Sequence, residues 1–340
     1  MKTIDTLSDL SADELRRIRQ TLFDRYRVGV RGNIVEIGFG VAELANQVDR
    51  ERPSAICFYV ADKRMPRAKV DRIPDHIDVR LKRRNQFVLV RLPSDVIEIE
   101  RQAIRLTGRR VRHVADRSFA TAGAIVAWRF DDHGRFAYGV LTVGHLFWNR
   151  STVPEPSDDV RVRVTGNREI LGRLVLRSLP NDGVDAAIVL SSRRALVDGG
   201  VLSESSSTRG KKIRAVAELV TDRLQHGSTL PKTTPIPFMV LRYLPEFSLI
   251  PELGPIPHAL DVRSDVAGTF RQGTSGAPWI IQRQAACQQF AGWESNDPSQ
   301  DYTRGTGQSL EAIFAWCRRS LAKTYRKRVA DTDLRLIREL

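Results

Sequence analysis

Ser275, His145 and Asp185 have the side chains that acyl transfer requires. Ser275 lies in a glycine-flanked turn directly before an apolar stretch, whereas His145 follows one apolar stretch and Asp185 begins another. A serine hydroxyl is a weak nucleophile near neutral pH, so an imidazole must take its proton and a buried carboxylate must hold that imidazole in one tautomer. The three residues supply these groups, and together they indicate a site for nucleophilic catalysis.

Each of the three residues also has an ordinary structural interpretation. Gly-Ser turns often close hairpins, a histidine at the end of a strand is commonly structural, and an aspartate before a strand commonly forms a turn. Asp182 is the alternative to Asp185 as the carboxylate, but Asp185 leads directly into the apolar run 186–190 and is better placed to be buried. His133 lies in a polar hairpin turn, which makes it a poor alternative to His145.

Three short motifs around these residues resemble those of trypsin-like (chymotrypsin-fold) serine peptidases. They occur in the order His, Asp, Ser, with 40 residues from His145 to Asp185 and 90 from Asp185 to Ser275. Because all three occur in order and at family-like spacing, the resemblance is specific, and it covers about residues 118–315. The motifs read Leu141-Thr142-Val143-Gly144-His145-Leu146, Asp185-Ala186-Ala187-Ile188 and Gly273-Thr274-Ser275-Gly276-Ala277-Pro278.

The resemblance implies a mostly β fold of two antiparallel β-barrels, with the active site in the cleft between them. It implies a serine endopeptidase that hydrolyses peptide bonds through an acyl-enzyme intermediate. Ser275 would be the nucleophile and His145 the general base, with Asp185 orienting His145. This chemistry requires no metal and no organic cofactor, and the expected partner is a protein or peptide substrate.

The resemblance also assigns roles to residues outside the triad. The backbone N–H groups of Gly273 and Ser275 would form the oxyanion hole. Thr269 falls at the base of the primary specificity pocket, where it predicts no strong preference for a basic side chain. Gly292 and Trp293 lie in the strand along which an extended substrate would pair its backbone.

Two residues depart from the family's pattern. Thr274 stands where secreted members carry the aspartate that pairs with a processed amino terminus, so activation by that route is not expected. Leu146 replaces the cysteine that normally follows the catalytic histidine, and Cys57, Cys287 and Cys317 lack metal-site spacing. Reduced cysteines agree with a cytoplasmic protein. These traits resemble bacterial cytoplasmic trypsin-like peptidases that carry an N-terminal α+β region.

Hydrophobic periodicity predicts a small α+β domain over residues 1–110, a candidate regulatory domain. Ser11 and Glu14 form a capping box before an amphipathic helix over 12–26, and a second, short helix is expected over 42–48. The basic stretch 101–117 links this domain to the rest of the chain. Strands are predicted over 33–40, 54–60, 87–93 and 94–99.

Short strands separated by turns follow from about residue 121, and they predict the peptidase domain over 118–325. A helix over 308–325 closes this domain, and a basic tail over 326–340 is compatible with further helix. The strands are predicted over 123–128, 138–143, 160–164, 171–176, 184–190, 212–216 and 238–243.

The composition is that of a globular, unexported protein. Of the 340 residues 41% are hydrophobic and 28% are charged, and the first residues lack the apolar core of a secretory signal. There is no uninterrupted run of about 18 apolar residues. We therefore expect a cytoplasmic location and no membrane association.

The uneven charge distribution is compatible with a second class of function, a binding module for protein or nucleic acid. The net charge is +14, and residues 1–117 alone carry 25 Lys and Arg against 17 Asp and Glu. A catalytically silent or regulated peptidase fold could use such a basic surface to bind protein or nucleic acid. No zinc finger or RNA-recognition motif accompanies the charge, so nucleic acid is the less favoured partner. In a combined hypothesis, the N-terminal domain restrains the cleft until a regulatory partner relieves it.

Overall fold

The computed structural model describes most of the chain, and the fold is mostly β, as predicted. The strand content is 47%, and three α-helices lie in the described part. Within that part no helix is long and apolar enough to cross a membrane. The described residues are 3–26, 28, 33–44, 47–63, 72–98, 102–103, 110–113, 119–131, 134–148, 159–163, 169–221, 223–229, 235–250, 253–270, 274–293 and 302–339.

The helix predicted over 12–26 is confirmed, and its capping box is formed. The Ser11 hydroxyl accepts the Glu14 backbone N–H at 3.3 Å, and Glu14 Oε2 accepts the Ser11 backbone N–H at 2.9 Å. Leu15, Ile18 and Leu22 recur on one face and are fully buried, which docks the helix on the sheet. The N-terminal elements are β1 Thr3–Ile4, α1 Ala12–Tyr26, β2 Ile34–Gly40, β3 Glu43–Leu44, β4 Gln47–Val48, β5 Ala55–Val60, β6 His76–Arg83 and β7 Gln86–Glu98.

Two N-terminal predictions differ from the structure. The short helix expected over 42–48 is wrong, because the chain turns back there and the Asp49 N–H bonds across the turn to the Ala42 carbonyl oxygen. The strands predicted over 87–93 and 94–99 are one strand, β7. Pro93 lies where the ladder to β6 ends and the ladder to β5 begins, so its missing N–H interrupts neither.

The rest of the described chain consists of strands with two further α-helices and short 3₁₀ turns. Up to residue 200 the elements are β8 Gln102–Ala103, β9 Arg110–His113, β10 Phe119–Thr121, β11 Ala124–Arg129, β12 Ala137–Thr142, β13 Asp159–Arg163, β14 Glu169–Arg177, β15 Ala187–Ser191 and α2 Arg193–Asp198. The later elements are β16 Gln225–Thr229, β17 Ile236–Phe247, β18 Ile256–Arg263, β19 Pro278–Ile281, β20 Gln284–Trp293, β21 Arg304–Ser309, α3 Leu310–Thr324 and β22 Asp333–Glu339.

Six of the later strands close into an antiparallel β-barrel. β17 pairs with β16, β16 with β19, β19 with β20, β20 with β21, β21 with β18, and β18 again with β17. In the closed barrel each of these six strands pairs with a neighbour on both sides along at least part of its length. The barrel is therefore a rigid frame for the loops between its strands.

Eight other strands form an open antiparallel sheet. Their order is β10, β9, β13, β14, β15, β12, β11 and β22. Among the residues that the structure describes, the two ends of this sheet do not pair with each other. One barrel is thus present, and the second barrel stays a prediction.

The N-terminal strands belong to the same sheet as the barrel. β2 pairs with β17 through Phe39 with Tyr243 and Gly40 with Arg242, and the sheet continues through β5 and β7. A Cβ on Gly40 would lie 2.1 Å from the Leu241 carbonyl oxygen, so only glycine lets the two strands approach. The predicted domain boundary near residue 110 stays a prediction, and the described strands on either side of it share one sheet.

Two C-terminal predictions are wrong, and one is confirmed. In place of a strand over 212–216, Ile213 makes a single bridge to β20 and a 3₁₀ turn follows over Val216–Leu219. In place of further α-helix, the tail forms a 3₁₀ turn over Val329–Asp331 and then β22, which pairs with β11 and buries Leu334 and Leu336. The C-terminal helix is confirmed as α3.

The three cysteines are free thiols in the core. Burial raises the pKa of the Cys57 thiol to about 12, and it raises the pKa values of Cys287 and Cys317 further. All three thiols therefore stay protonated and unreactive near neutral pH.

Candidate active site

His145 and Asp185 come together because their strands are neighbours in the open sheet. β12 and β15 are antiparallel, with Thr142 opposite Ala187, so the end of one strand lies beside the start of the other. Beyond Thr142 the chain enters a 3₁₀ turn that begins at His145. Asp185 lies two residues before the start of β15. The sheet therefore places both side chains at one edge.

The His145 imidazole and the Asp185 carboxylate make a two-point contact. The ring Nδ1 lies 2.5 Å from Asp185 Oδ2, and the His145 backbone N–H donates to Oδ1 at 2.8 Å. An ionised carboxylate only accepts, so this contact places a ring proton on Nδ1 and leaves Nε2 as the base. The Asp185 side chain is fully buried and that of His145 is 10% exposed, which shields the pair from competing water.

Gln308, a residue not predicted from the sequence, fixes the backbone of Asp185. The Asp185 N–H donates to Gln308 Oε1 at 2.8 Å, and Gln308 Nε2 donates back to the Asp185 carbonyl oxygen. Gln308 is fully buried in β21, so it connects the carboxylate of the open sheet to the barrel. The two residues are 123 positions apart, and nothing local in the sequence distinguishes Gln308 from a surface glutamine.

Asp182, the alternative carboxylate, serves a turn instead. Its Oδ2 accepts the Leu179 backbone N–H at 2.8 Å, and the residue is exposed. The structure therefore places Asp185, and not Asp182, against the imidazole. His133, the alternative base, lies outside the described residues.

The Ser275 turn is bonded to both sheets. On the barrel side the Gly276 N–H donates to the Gln289 carbonyl oxygen at 2.7 Å, and on the open-sheet side the Thr121 N–H donates to the Ser275 carbonyl oxygen at 2.9 Å. Gly276 has a φ of +99°, and a Cβ there would lie 2.4 Å from the Thr121 carbonyl oxygen. Glycine is required at this position both for its conformation and for the close approach.

Thr142 connects the Ser275 turn to His145. Its hydroxyl donates to the Thr121 carbonyl oxygen at 2.8 Å, and a Cβ on Gly276 would lie 3.4 Å from that hydroxyl. His145 follows Thr142 by three residues. The serine turn therefore contacts the end of β12, the strand that leads to His145.

The Ser275 hydroxyl faces its own barrel strand. Ser275 is 2% exposed, and its Oγ donates to the Phe290 carbonyl oxygen at 3.3 Å. Within the described part of the chain, His145 Nε2 has no hydrogen-bond partner. Among the described residues the imidazole is therefore held through Nδ1 with Nε2 unpartnered, and the Ser275 hydroxyl is bonded to β20.

Gly273 and Thr269 are the predicted oxyanion-hole and specificity-pocket residues. Gly273, the predicted second donor of the oxyanion hole, lies outside the described residues. Thr269, the predicted base of the specificity pocket, is buried, and its hydroxyl donates to the Val266 carbonyl oxygen at 2.6 Å. The role of each in substrate binding stays a prediction.

Gly292 and Trp293 are the last two residues of β20. A Cβ on Gly292 would lie 2.0 Å from the Phe270 carbonyl oxygen, so this strand approaches the segment before the serine turn. The Trp293 indole is buried and donates its Nε1–H to Thr306 Oγ1 at 3.0 Å. The Trp293 side chain is therefore occupied within the barrel, and its role in substrate binding stays a prediction.

A buried ion cluster lies behind Trp293, whose ring centroid is 4.6 Å from the Arg304 guanidinium. Arg242 and Arg304 contact Asp261 Oδ2 at 2.9 and 3.0 Å, and they approach Glu43 to 3.4 and 3.6 Å. Burial raises the pKa of the Glu43 carboxyl, but the two arginines outweigh burial and hold that pKa at about 2. Glu43 thus stays ionised, and its contacts with the two arginines join β3 to the barrel.

Comparison of the sequence with protein-family models and with curated proteins found no match. Among solved structures, the chain is similar to trypsin-like serine proteases. Protease A of Thermobifida fusca is 14% identical with a TM-score of 0.39, over 69% of this chain and 100% of that one. Chymotrypsin of Cellulomonas bogoriensis is 15% identical with a TM-score of 0.38, over 69% and 99%. The HtrA-type protease AlgW with decapeptide is 10% identical with a TM-score of 0.36, over 59% and 63%. Identities and TM-scores of this size indicate similarity of fold alone.

Proposed function

We propose that the chain is a serine endopeptidase that hydrolyses peptide bonds through Ser275, His145 and Asp185. The observation that carries the proposal is the contact between His145 Nδ1 and the buried Asp185 carboxylate at 2.5 Å, with Nε2 unpartnered among the described residues. An imidazole held in this way is ready to accept a proton. The Ser275 turn, bonded to the open sheet through Thr121, supplies the hydroxyl.

The hydroxyl must first leave Phe290. Rotation about χ1 of Ser275 moves Oγ between staggered positions, and its bond to the Phe290 carbonyl oxygen is long, at 3.3 Å. Catalytic hydrogen bonds are often loose before substrate binds and tighten in the complex. We therefore expect substrate binding to bring Oγ to His145 Nε2.

With substrate bound, Oγ attacks the scissile carbonyl carbon while Nε2 takes the hydroxyl proton. The C–N bond then breaks, His145 gives the proton to the leaving amine, and the acyl group stays on Ser275. Water, deprotonated by the same imidazole, hydrolyses the ester and returns the free enzyme. Asp185 stabilises the imidazolium in both steps. The backbone N–H groups of Gly273 and Ser275 would bind the oxyanion, and such a donor typically contributes about 3 kcal/mol in the transition state.

Substrate recognition is proposed at Thr269, Gly292 and Trp293. A neutral, buried Thr269 would give a pocket without a carboxylate, which does not favour a basic side chain. Gly292 and Trp293 would offer their backbones to an extended peptide. The open sheet would be the second barrel of the trypsin-like architecture, and a bacterial, cytoplasmic enzyme with a regulatory N-terminal domain is part of the same proposal.

The alternative is a catalytically silent peptidase fold that binds protein or nucleic acid. The observation in its favour is that the Ser275 hydroxyl bonds to Phe290 and not to His145. In such a protein the His145–Asp185 pair would be structural. The net charge of +14 would then attract an acidic partner.

A fluorophosphonate probe distinguishes these two functions, because it forms a covalent bond only with an activated serine. We expect the wild type to be labelled and Ser275→Ala to remain unlabelled. Ser205→Ala, at an exposed loop serine, is the matched control and should be labelled like the wild type. Equal labelling of the wild type and Ser275→Ala would contradict the assignment of the nucleophile, and an unlabelled wild type would favour the binding module.

A further inference from the structure

The end of β20 has neighbours on both sides. β20 pairs on one side with β21 and on the other with β19. At its end, Gly292 lies opposite Gly305 of β21 and also opposite Ala103 of β8. A strand residue has one neighbour on each side, so β8 must lie on the β19 side of β20.

The Ser275 turn occupies this same edge, between β19 and β8. β19 begins at Pro278, opposite Gln288. The turn then bonds to the next residue, Gln289, through two backbone hydrogen bonds of 2.7 and 2.9 Å, and Ser275 Oγ reaches Phe290. β8 is paired two residues further on, which is about 7 Å at the rise of a strand.

An extended substrate would need to pair with the same edge of β20 that β8 occupies. A peptide that binds as an added strand uses the main-chain N–H and C=O groups of a sheet edge. To bring its scissile bond to Ser275, such a peptide would run along the end of β20. β8 is antiparallel to β20 there, and it pairs with Gly292 and Trp293. Since an edge accepts one strand at a time, β8 and the peptide exclude each other.

We propose that the backbone of Gln102–Ala103 is a built-in competitor for the substrate, and that β8 must leave β20 before a peptide can bind. This inference rests on the proposed endopeptidase function and adds its regulation. β8 lies between β7 and β9, in the basic stretch that links the N-terminal part to the open sheet. A tethered segment has a high effective concentration at its site. Within the described residues, two residue pairs join β8 to β20, so a good substrate can displace it.

The double variant Gln102→Pro/Ala103→Pro tests this competition. Proline lacks the N–H donor and is poorly tolerated in a ladder, so β8 should leave β20. We expect the KM for an extended peptide substrate to fall about tenfold, the effect of losing two competing backbone hydrogen bonds, with kcat little changed. The matched control Gln102→Ala/Ala103→Ser keeps both N–H groups and should keep the wild-type KM.

The possible outcomes separate the two proposals. An unchanged KM in the proline variant, with normal fluorophosphonate labelling of Ser275, contradicts the proposal that β8 competes with the substrate. The same fall in KM in the control variant also overturns it, because the contact would then depend on side chains. Absence of labelling in the wild type overturns the endopeptidase function instead.

Hydrogen exchange on the wild type tests the competitor without any variant. A peptidyl phosphonate bonded to Ser275 places a peptide along β20, whereas a small alkyl fluorophosphonate bonded to the same serine does not. We expect the amide hydrogens of Gln102 and Ala103 to exchange faster in the peptidyl adduct than in the alkyl adduct. Equal exchange in the two adducts contradicts the proposal.

Discussion

The two halves of the candidate site differ in how far they are assembled. In the open sheet, His145 and Asp185 are already joined at 2.5 Å, and the carboxylate is fully buried. In the barrel, the Ser275 hydroxyl bonds to Phe290, and β8 lies on the strand edge beside it. The acid–base half is thus preorganised and the nucleophile half is adjustable, so any control of the proposed activity would act on the barrel.

The physical cause of this difference is charge. A carboxylate buried without partners costs several kcal/mol, so Asp185 must be fixed when the chain folds. It accepts from the ring and the backbone of His145, and Gln308 holds its main chain. A serine hydroxyl is neutral, and it can exchange one hydrogen-bond acceptor for another at little cost.

The largest expected effect comes from breaking the preorganised half with Asp185→Asn. The asparagine amide can donate to Nδ1, which favours the wrong tautomer of His145 and removes the base at Nε2. We expect kcat to fall about 10⁴-fold with a small change in KM. Asp182→Asn is the matched control, because Asp182 accepts a bond from Leu179 in an exposed turn. Steady-state kinetics on one peptide substrate measures both variants, and similar losses in the two would remove the distinction between Asp185 and Asp182.

Features that depend on residues close together in the sequence could be predicted, whereas features that depend on distant contacts could not. Helix α1 was predictable because Ser11 and Glu14 cap it within three residues. Candidate residues of the site were recognisable because each lies in a short motif. Gln308 and the pairing of β8 with β20 were not, because they depend on contacts across long stretches of chain. The strand of the C-terminal tail was missed for the same reason, since its partner β11 is some two hundred residues away.

The short elements failed for a different reason. Over 42–48 and 212–216 the apolar pattern is too brief to distinguish a helix, a strand and a turn. In the first case a hairpin forms, and in the second a single bridge and a 3₁₀ turn. Neither segment contains a residue of the proposed triad, although Glu43 of the first segment belongs to the ion cluster behind Trp293.

A smaller effect is expected from loosening the adjustable half with Thr274→Val. Gln289 Nε2 donates to Thr274 Oγ1 at 2.5 Å, and both residues are buried beside the serine turn. Valine keeps the shape but removes the acceptor, so the turn becomes less well held. We expect kcat and the rate of fluorophosphonate labelling to fall about tenfold, because the buried Gln289 amide loses its shorter hydrogen bond and keeps only the long one to the Phe270 carbonyl oxygen, at 3.4 Å.

Thr274→Ser is the matched control for this change, because it keeps the hydroxyl. It should retain kcat within about threefold of the wild type, since a hydrogen bond is preserved. If Thr274→Val also behaves like the wild type, the backbone hydrogen bonds from Gly276 and Thr121 hold the turn alone. In that case the nucleophile half is as rigid as the acid–base half.

The smallest effect on activity is expected from Glu14→Gln. Glu14 lies outside both halves of the site, so this variant shows how a loss of stability alone affects kcat. Arg83 donates to Glu14 Oε1 at 2.6 Å and to Oε2 at 2.9 Å, and Glu14 also caps α1 at Ser11. Losing the charge should lower the free energy of unfolding by about 1 kcal/mol in a urea titration. It should leave kcat unchanged. Glu204→Gln, in an exposed loop, is the control and should alter neither quantity.

The pH dependence identifies the ion pair as the cause of that loss. The hydrogen bond from Arg83 lowers the pKa of Glu14 to about 2, against the opposing effect of burial, whereas a glutamate in an unfolded chain has a pKa of about 4.3. A carboxyl whose pKa is lower in the folded state contributes stability above its unfolded pKa and loses it as the pH falls. The difference in unfolding free energy between wild type and Glu14→Gln should therefore be largest near neutral pH and shrink between about pH 4.3 and about pH 2. A constant difference in unfolding free energy across this range would mean that the ion pair does not stabilise the fold. A fall in kcat in Glu14→Gln would mean that the N-terminal part influences the candidate active site.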